Sequence, residues 1–257
     1  MKRRSFVTAA AAGLASTAMG EQTANSQYFA LCYYYMHSGP QVDRTTKYLS
    51  DSYLPAARRA GVKISGFFSP VIGENSPFIL SLAVHASMAA METASAHLAE
   101  DKEFQKGWDA YNVIGDPAYV RMEAVLLRAF DGIPRLIAPP TDAKRAARTF
   151  EMRTYQSTNE KASRRKMKMF EDGEAGVFRR LGMNPVFFGQ RVFGPNMPSL
   201  TYMLAYDDLA SRERLWKEFG ADEEWRKLRV QPGLSDAEIV SKISNEILRP
   251  LAFSEIR

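Results

Sequence analysis

The stretch FGQRVFGPNMP at residues 188–198 decides the fold, because it repeats the stretch FFSPVIGENSP at residues 67–77. Phe, Val, Gly, Asn and Pro recur at matching places, 121 residues apart. Extending this offset without gaps over residues 29–131 gives 20 identities in 103 pairs, whereas composition alone predicts about six. The chain is therefore interpreted as one unit of roughly 100 residues that occurs twice.

Each copy predicts the element order βαββαβ. An alternating strand opens it, FALCYYY at residues 29–35 or FEMRTY at 150–155, and an amphipathic helix follows that ends at Gly61 or Gly182. Two short strands come next, joined by a turn whose Gly, Asn and Pro residues suit a hairpin connection. A second helix and a last strand complete the copy. This order is that of the ferredoxin-like unit.

The predicted fold is α+β, with two tandem ferredoxin-like units at residues 27–132 and 149–257 and a Pro-rich linker at 133–148. The helices of such a unit cover one face of its four-stranded sheet and leave the other face open. We therefore expect the two units to pack sheet to sheet within one chain and to enclose a space between them.

Residues 1–20 predict an export signal. A basic start precedes an apolar run of small residues, and AMG at residues 18–20 has the small-x-small pattern of a cleavage site. RRSFV at residues 3–7 is similar to the twin-arginine export motif. The run is too short to span a bilayer, and no Cys follows it that could carry a lipid. We expect export by the twin-arginine route to the periplasm or beyond, without a membrane anchor.

Composition narrows the classes of partner. The chain has 34 Lys and Arg against 29 Asp and Glu, a net charge of +5. Three of the basic residues lie in the predicted export signal, so the remainder carries only +2. This balance argues against nucleic acid as a partner. The single cysteine, Cys32, excludes an internal disulfide framework and a multi-cysteine metal site.

The second copy resembles the NIPSNAP family. The resemblance rests on FEMRTY at residues 150–155, on YMLAY at residues 202–206, and on the following helix and turn with Arg212, Trp216, Asp222 and Trp225. It covers residues 149–230 well and residues 28–130 loosely. The resemblance implies the dimeric α/β-barrel superfamily, in which paired ferredoxin-like units enclose a cavity. The family brings no established reaction with it.

Strand alternation supplies candidate cavity residues in the second copy. Along FEMRTY, the side chains of Glu, Arg and Tyr share one face, while those of Phe, Met and Thr share the other. We expect the apolar face to lie under the helices and the polar face to line the space between the sheets. With their neighbours on the third strand, the predicted cavity residues are Glu151, Arg153, Tyr155, Tyr202 and Tyr206. They could hold a small anionic or aromatic molecule, or form a buried ion pair with a structural role.

The first copy adds three candidates: Tyr34, His85 and Cys32. Leu80, Leu82 and Val84 are expected under the helices, which leaves His85 facing the cavity. The superfamily that the resemblance implies includes haem proteins with one axial His, so haem bound by His85 is an alternative. No other cofactor and no metal ion is predicted. Cys32 is either a small buried residue or, with a cation nearby, a reactive thiol.

The leading functional hypothesis is an exported NIPSNAP-like protein that binds a small molecule or a protein partner through the barrel cavity or its rim. One alternative is an enzyme, either a cofactor-independent oxygenase or isomerase or a haem-dependent enzyme. Another is a structural or interaction module with a filled core. The sequence leaves the ligand, the reaction and the oligomeric state open.

Overall fold

The computed structural model of the chain describes residues 26–140 and 146–257. The predicted export signal at residues 1–20 lies outside them. The first unit comprises β1 (Tyr28–Tyr35), α1 (Pro40–Tyr48), α2 (Leu54–Arg59), β2 (Ser65–Ile72), β3 (Phe78–His85), α3 (Met88–Glu100), α4 (Lys102–Tyr111) and β4 (Arg121–Ala129). The second comprises β5 (Thr149–Gln156), α5 (Glu160–Met169), α6 (Ala175–Leu181), β6 (Pro185–Phe193), β7 (Ser199–Tyr206), α7 (Leu209–Ala221), α8 (Glu223–Arg229), α9 (Asp236–Ile239) and β8 (Lys242–Pro250).

The two units repeat each other in detail. β5, β7, α7 and β8 each begin 121 residues after β1, β3, α3 and β4. A π-helical turn joins α1 to α2 at Leu49–Tyr53, and another joins α5 to α6 at Phe170–Glu174. Gly61 and Gly182 follow these helices with φ angles of +90° and +80°, a conformation that glycine adopts without strain. The predicted order βαββαβ is confirmed in both copies.

The strands close into one barrel with the order β1-β3-β2-β8-β5-β7-β6-β4. Within each unit this is the ferredoxin-like order, and two antiparallel seams join the units. One seam pairs β2 with β8 and aligns Phe68 with Pro250, and the other pairs β4 with β6 and aligns Ala129 with Gly189. The predicted intrachain dimeric α/β barrel is therefore confirmed.

Apolar side chains from both units fill most of the barrel interior. They form one buried cluster that includes Phe29, Leu82, Phe150, Met152 and Phe187. The helices cover the outside of the barrel with separate clusters, such as that of Phe170, Phe178 and Tyr202 in the second unit. Of the residues described, no helix is long and apolar enough to span a membrane.

The predicted assignment of strand faces is wrong. Leu80, Leu82 and Val84 lie in the interior cluster together with Phe150 and Met152, and not under the helices. The eight predicted cavity residues lie on the opposite, helix-covered side of the sheet: Glu151, Arg153, Tyr155, Tyr202, Tyr206, Tyr34, His85 and Cys32. The interior of an eight-stranded barrel is just wide enough for packed side chains or for one small ligand, and apolar residues fill most of it here. The polar residues instead pair with groups on the helices.

Candidate functional site

A pocket of about 280 Å³ remains open at one end of the barrel. This end, here called the mouth, carries the last residues of β1 and β5, the first residues of β4 and β8, and the turns that follow β2 and β6. Its polar side chains come from both units: Tyr33, Tyr35, Glu74, Asn75, Arg121, Glu123, Thr154, Arg191, Asn196, Ser244 and Glu246. The volume lies just below the range of about 300–1,000 Å³ that is typical of ligand pockets, so it suits a small molecule.

Two stacked tyrosines form one wall of the pocket. The rings of Tyr33 and Tyr35 lie 5.9 Å apart, centre to centre, with an angle of 9° between their planes. Arg121 lies over the Tyr35 ring at 3.9 Å and donates through Nε to Glu123 at 2.9 Å, while the Tyr35 hydroxyl donates to Glu123 at 3.3 Å. This wall is aromatic, and its charged groups are already paired.

Glu246 lies on β8 and faces the same pocket. Its Oε2 accepts a hydrogen bond from the Tyr33 hydroxyl at 3.1 Å. Burial, together with the negative charges of Glu74 and Glu123, raises the pKa of the Glu246 carboxyl from 4.5 to about 7, although the bond from Tyr33 opposes the shift. The carboxyl can therefore gain or lose a proton near neutral pH.

Arg191 on β6 supplies a buried cation to the pocket. Its side chain is only 7% exposed, and among the described residues it forms no ion pair with a carboxylate. Nη2 donates to Thr201 at 3.4 Å and Nη1 to the Pro195 carbonyl, whereas Nε is buried without a partner. A buried guanidinium without a carboxylate partner is stabilised by an anion bound in the adjoining pocket.

The mouth also exposes apolar side chains. Ile72 at the end of β2, Phe193 at the end of β6 and Met197 in the turn before β7 are 63%, 61% and 49% exposed. The two turns have matching geometry, since Asn75 and Asn196 both adopt left-handed backbone angles, with φ of 59° and 63°. The rim therefore presents apolar contacts around an opening that leads to charged groups.

The predicted cavity residues of the second unit form a compact polar network outside the barrel. Glu151 Oε2 accepts from Trp216 Nε1 at 2.7 Å and from Arg212 Nε at 2.9 Å. Its Oε1 accepts from Arg212 Nη2 at 2.6 Å and from Arg153 at 3.0 Å. Although burial favours the neutral acid, these partners hold the pKa of Glu151 below its ordinary value. The carboxylate is thus ionised and satisfied without a ligand.

The tyrosines predicted with Glu151 belong to the same network. Arg153 donates to the Tyr155 hydroxyl at 3.3 Å, the Tyr202 hydroxyl donates to Tyr155 at 3.2 Å, and Tyr206 donates to Glu151 at 3.3 Å. The structure thus brings together all five predicted cavity residues of the second unit. They lie between β-sheet and helix rather than around a cavity, which is the arrangement of a buried network that fixes α7 to the sheet.

The three candidates of the first unit do not form a site with them. Burial raises the pKa of the Cys32 thiol to about 11, in spite of a hydrogen bond with Tyr34, so the reactive thiolate is scarce at neutral pH. Tyr34 packs against Tyr119 in an apolar cluster under the helices. His85 is 8% exposed, and burial lowers the pKa of its imidazole.

A haem group held by His85 does not fit this arrangement. His85 alternates with Leu82 and Val84, which face the barrel interior, and so it points away from the mouth pocket. The described residues also hold no cluster of three His, Cys, Asp or Glu side chains that could bind a metal ion.

Sequence reasoning missed Arg191, Glu246, Tyr33 and Tyr35 as pocket residues. A signal was present for two of them, because at the offset of 121 residues Arg191 lies opposite Pro70 and Glu246 lies opposite Val125. The two tyrosines lie opposite Thr154 and Gln156 and gave no such signal. Charged residues that replace apolar ones on the interior face of a duplicated strand mark the place where the two copies diverge. Such positions can be recognised as pocket residues only after the inward face of each strand is known.

The second copy of the repeat also matches a known protein family along nearly its whole length. Residues 150–255 match the NIPSNAP family model, and this range begins in β5 and runs past the end of β8. The second unit is a NIPSNAP domain. Glu151, Arg153, Arg212 and Trp216, which carried the resemblance in sequence, are the residues of its buried polar network. No curated protein sequence matches the chain.

Solved structures match the whole barrel at low identity. A proposed monooxygenase from Lactobacillus acidophilus aligns with a TM-score of 0.56 and 9% identity, over 88% of this chain and 94% of that one. A proposed monooxygenase from Fusobacterium nucleatum gives 0.55 and 10%, over 88% and 93%. An anthrone oxidase-like protein gives 0.54 and 10%, over 88% and 92%. The likeness shows that the NIPSNAP domain and its partner unit share the fold of these proteins.

Proposed function

We propose that the chain is an exported protein that binds a small anionic molecule with an aromatic ring at the mouth of the barrel. Arg191 carries this proposal, because it is a buried cation that lines the pocket and forms no ion pair among the described residues. Desolvating a guanidinium without an anionic partner is costly, and a bound carboxylate or phenolate would offset that cost.

The shape of the pocket supports a ring in the same ligand. Tyr33 and Tyr35 line the pocket, and aromatic rings pack well against one another in offset or tilted geometry. A volume of about 280 Å³ limits the ligand to a small molecule. We propose export as well, and the sequence of residues 1–20 alone supports it.

A protein partner and a filled structural core are less well supported. The interior cluster does fill one part of the barrel, but the mouth keeps an open pocket lined by Arg191, which has no ion pair among the described residues. A purely structural core gains nothing from such a cation, since a buried unpaired charge destabilises the fold.

Binding of phenylpyruvate tests the proposal, because this probe combines a carboxylate with an aromatic ring. We expect saturation-transfer NMR and calorimetry to detect binding to the wild-type chain. Arg191→Gln should raise Kd at least about tenfold, since a hydrogen bond to a charged group contributes about 1.5–3 kcal/mol.

Arg180→Gln is the matched control, because Arg180 lies on α6 and pairs with Asp222 and Glu224 on the outer surface. It should leave Kd unchanged. Absence of binding to the wild-type chain, or equal binding to Arg191→Gln, would contradict the proposal.

A further inference from the structure

Glu246 has one carboxylate oxygen free to act on a ligand. Its Oε2 accepts the bond from Tyr33, whereas Oε1 has no hydrogen-bond partner among residues 26–140 and 146–257. Glu246 also forms no ion pair in this part of the chain. The position of the carboxyl is therefore fixed by Tyr33, while its second oxygen remains available in the pocket.

Arg191 on β6 and Glu246 on β8 line the same pocket from two strands of the second unit, with β5 and β7 between those strands in the barrel. They do not pair with each other, because no nitrogen of Arg191 lies within 4.0 Å of a carboxylate oxygen among the described residues. A proton acceptor and an anion-binding group thus line the same pocket without forming an ion pair with each other. This arrangement suits a molecule that forms a negative charge when it loses a proton.

We propose that the mouth pocket catalyses proton transfer on a small aromatic keto acid, with Glu246 as the proton acceptor and Arg191 as the group that holds the anion. This inference rests on the proposed function and names the substrate class of that site. Tyr33 is a positioning residue, because it acts on the ligand only through its hydrogen bond to Glu246.

The proposed step balances without any further reactant. Glu246 Oε1 takes a proton from the carbon beside the keto group, and the C–H electron pair forms a double bond to the carbonyl carbon. The carbonyl π pair moves to oxygen and gives an enolate. Return of the proton to carbon restores the keto form, and its transfer to oxygen gives the enol. No electron is gained or lost by the protein, so no oxidant is required.

The surroundings of Glu246 match this role. The charged and titratable groups that face it are Tyr33, Tyr35, Arg121, Glu123, Glu74 and Arg191. Burial keeps the pKa of Tyr33 well above its ordinary value, and that of Tyr35 rises to about 12. Neither tyrosine ionises near neutral pH, and general bases work best with a pKa close to the working pH.

Hydrogen–deuterium exchange of phenylpyruvate in D₂O tests the inference. We expect the full-length protein to accelerate loss of the methylene proton signals above the buffer rate, measured by proton NMR. Glu246→Gln should lower the protein-dependent rate at least about 100-fold, and Glu246→Asp should retain part of it. The wild-type rate should rise with pH and level off above about 7, where Glu246 is ionised.

Glu218→Gln serves as the control, since Glu218 lies on the outer face of α7 and pairs with Arg214, and should leave the rate unchanged. Binding of phenylpyruvate without protein-dependent exchange, or with full exchange in Glu246→Gln, would overturn the proton-transfer inference and leave the proposed binding function intact. Absence of binding would instead overturn the proposed function itself.

Discussion

Two arginines show how the neighbours of a residue decide what it can do. Arg153 and Arg191 both have a buried Nε without a hydrogen-bond partner. Arg153 pairs with Glu151 at 3.0 Å and lies over the Trp216 ring at 4.5 Å, so its charge is neutralised within the protein. Among the described residues, Arg191 has a hydroxyl and a carbonyl as its hydrogen-bond partners and no carboxylate, so its charge is available to a ligand.

Glu246 should make the stability of the protein depend on pH. Its pKa is raised in the folded state from 4.5 to about 7, so the folded chain binds more protons than the unfolded chain between these values. Stability contributed by this group is therefore lost as pH rises through that window. Relative to the wild type, Glu246→Gln should raise the free energy of unfolding by about 1–3 kcal/mol at pH 8, and have little effect below pH 4.5.

Urea denaturation of both proteins at several pH values measures this difference, with Glu218→Gln as an exposed carboxylate for comparison. Equal stability of Glu246→Gln and the wild type at pH 8 would show that the folded environment does not disfavour the charged carboxylate.

The two units attach the corresponding helices α3 and α7 to the sheet by different contacts. In the second unit, Arg212 and Trp216 of α7 donate three hydrogen bonds to the buried carboxylate of Glu151. At the offset of 121 residues, the first unit has Ala30 on β1 and Met91 and Ser95 on α3. Apolar packing of small residues such as Ala83 and Ala94 replaces the polar network there.

Removing the charge of Arg212 should loosen α7. Arg212→Met leaves the buried Glu151 with fewer partners, and loss of one member of a buried pair destabilises strongly. We expect the free energy of unfolding to fall by about 2–4 kcal/mol, measured by urea denaturation.

Arg180→Met is the control for this prediction, because its ion pairs to Asp222 and Glu224 lie on the surface with half of the Arg180 side chain exposed. It should lower the free energy of unfolding by less than about 1 kcal/mol. Similar losses for the two variants would mean that the Glu151 network contributes no more than a surface ion pair.

The order of the elements could be predicted from the sequence, but the face of each strand that points inward could not. Alternation in FEMRTY shows which side chains share a face of the strand, but it does not show which of the two faces meets the helices. That choice depends on Arg212 and Trp216, which lie 61 and 65 residues beyond Glu151. The pair of Tyr33 and Glu246 is separated by 213 residues, so only closure of the barrel brings the mouth pocket together.

At the scale of the whole molecule, one chain supplies both halves of the barrel. The seams of β2 with β8 and of β4 with β6 leave no open sheet edge, which removes the usual route to edge-to-edge aggregation. Because the two halves are no longer identical, the pocket can be asymmetric, with tyrosines from the first unit and Arg191 and Glu246 from the second.

Close packing at the seam of β4 and β6 depends on Gly189. A Cβ atom added there would lie 2.8 Å from Leu127 Cβ and 3.4 Å from the Phe29 ring. Gly189→Ala should therefore lower the free energy of unfolding by about 1–3 kcal/mol, as expected for overpacking. Thermal and urea denaturation would measure the change.

Gly220→Ala is the matched control, because a Cβ at Gly220 in α7 meets no atom within 4 Å. Alanine also favours helix over glycine by about 1 kcal/mol, so this variant should be neutral or more stable. A Gly189→Ala protein as stable as the wild type would show that the seam tolerates a wider separation of the two units.

A crystal structure of the protein with phenylpyruvate tests the central claim most directly. We expect the carboxylate within hydrogen-bond distance of the Arg191 guanidinium, the ring against Tyr33 and Tyr35, and the methylene carbon facing Glu246. Density for the ligand beside Arg153 on the helix side of the sheet, or an unliganded mouth at saturating probe, would contradict it.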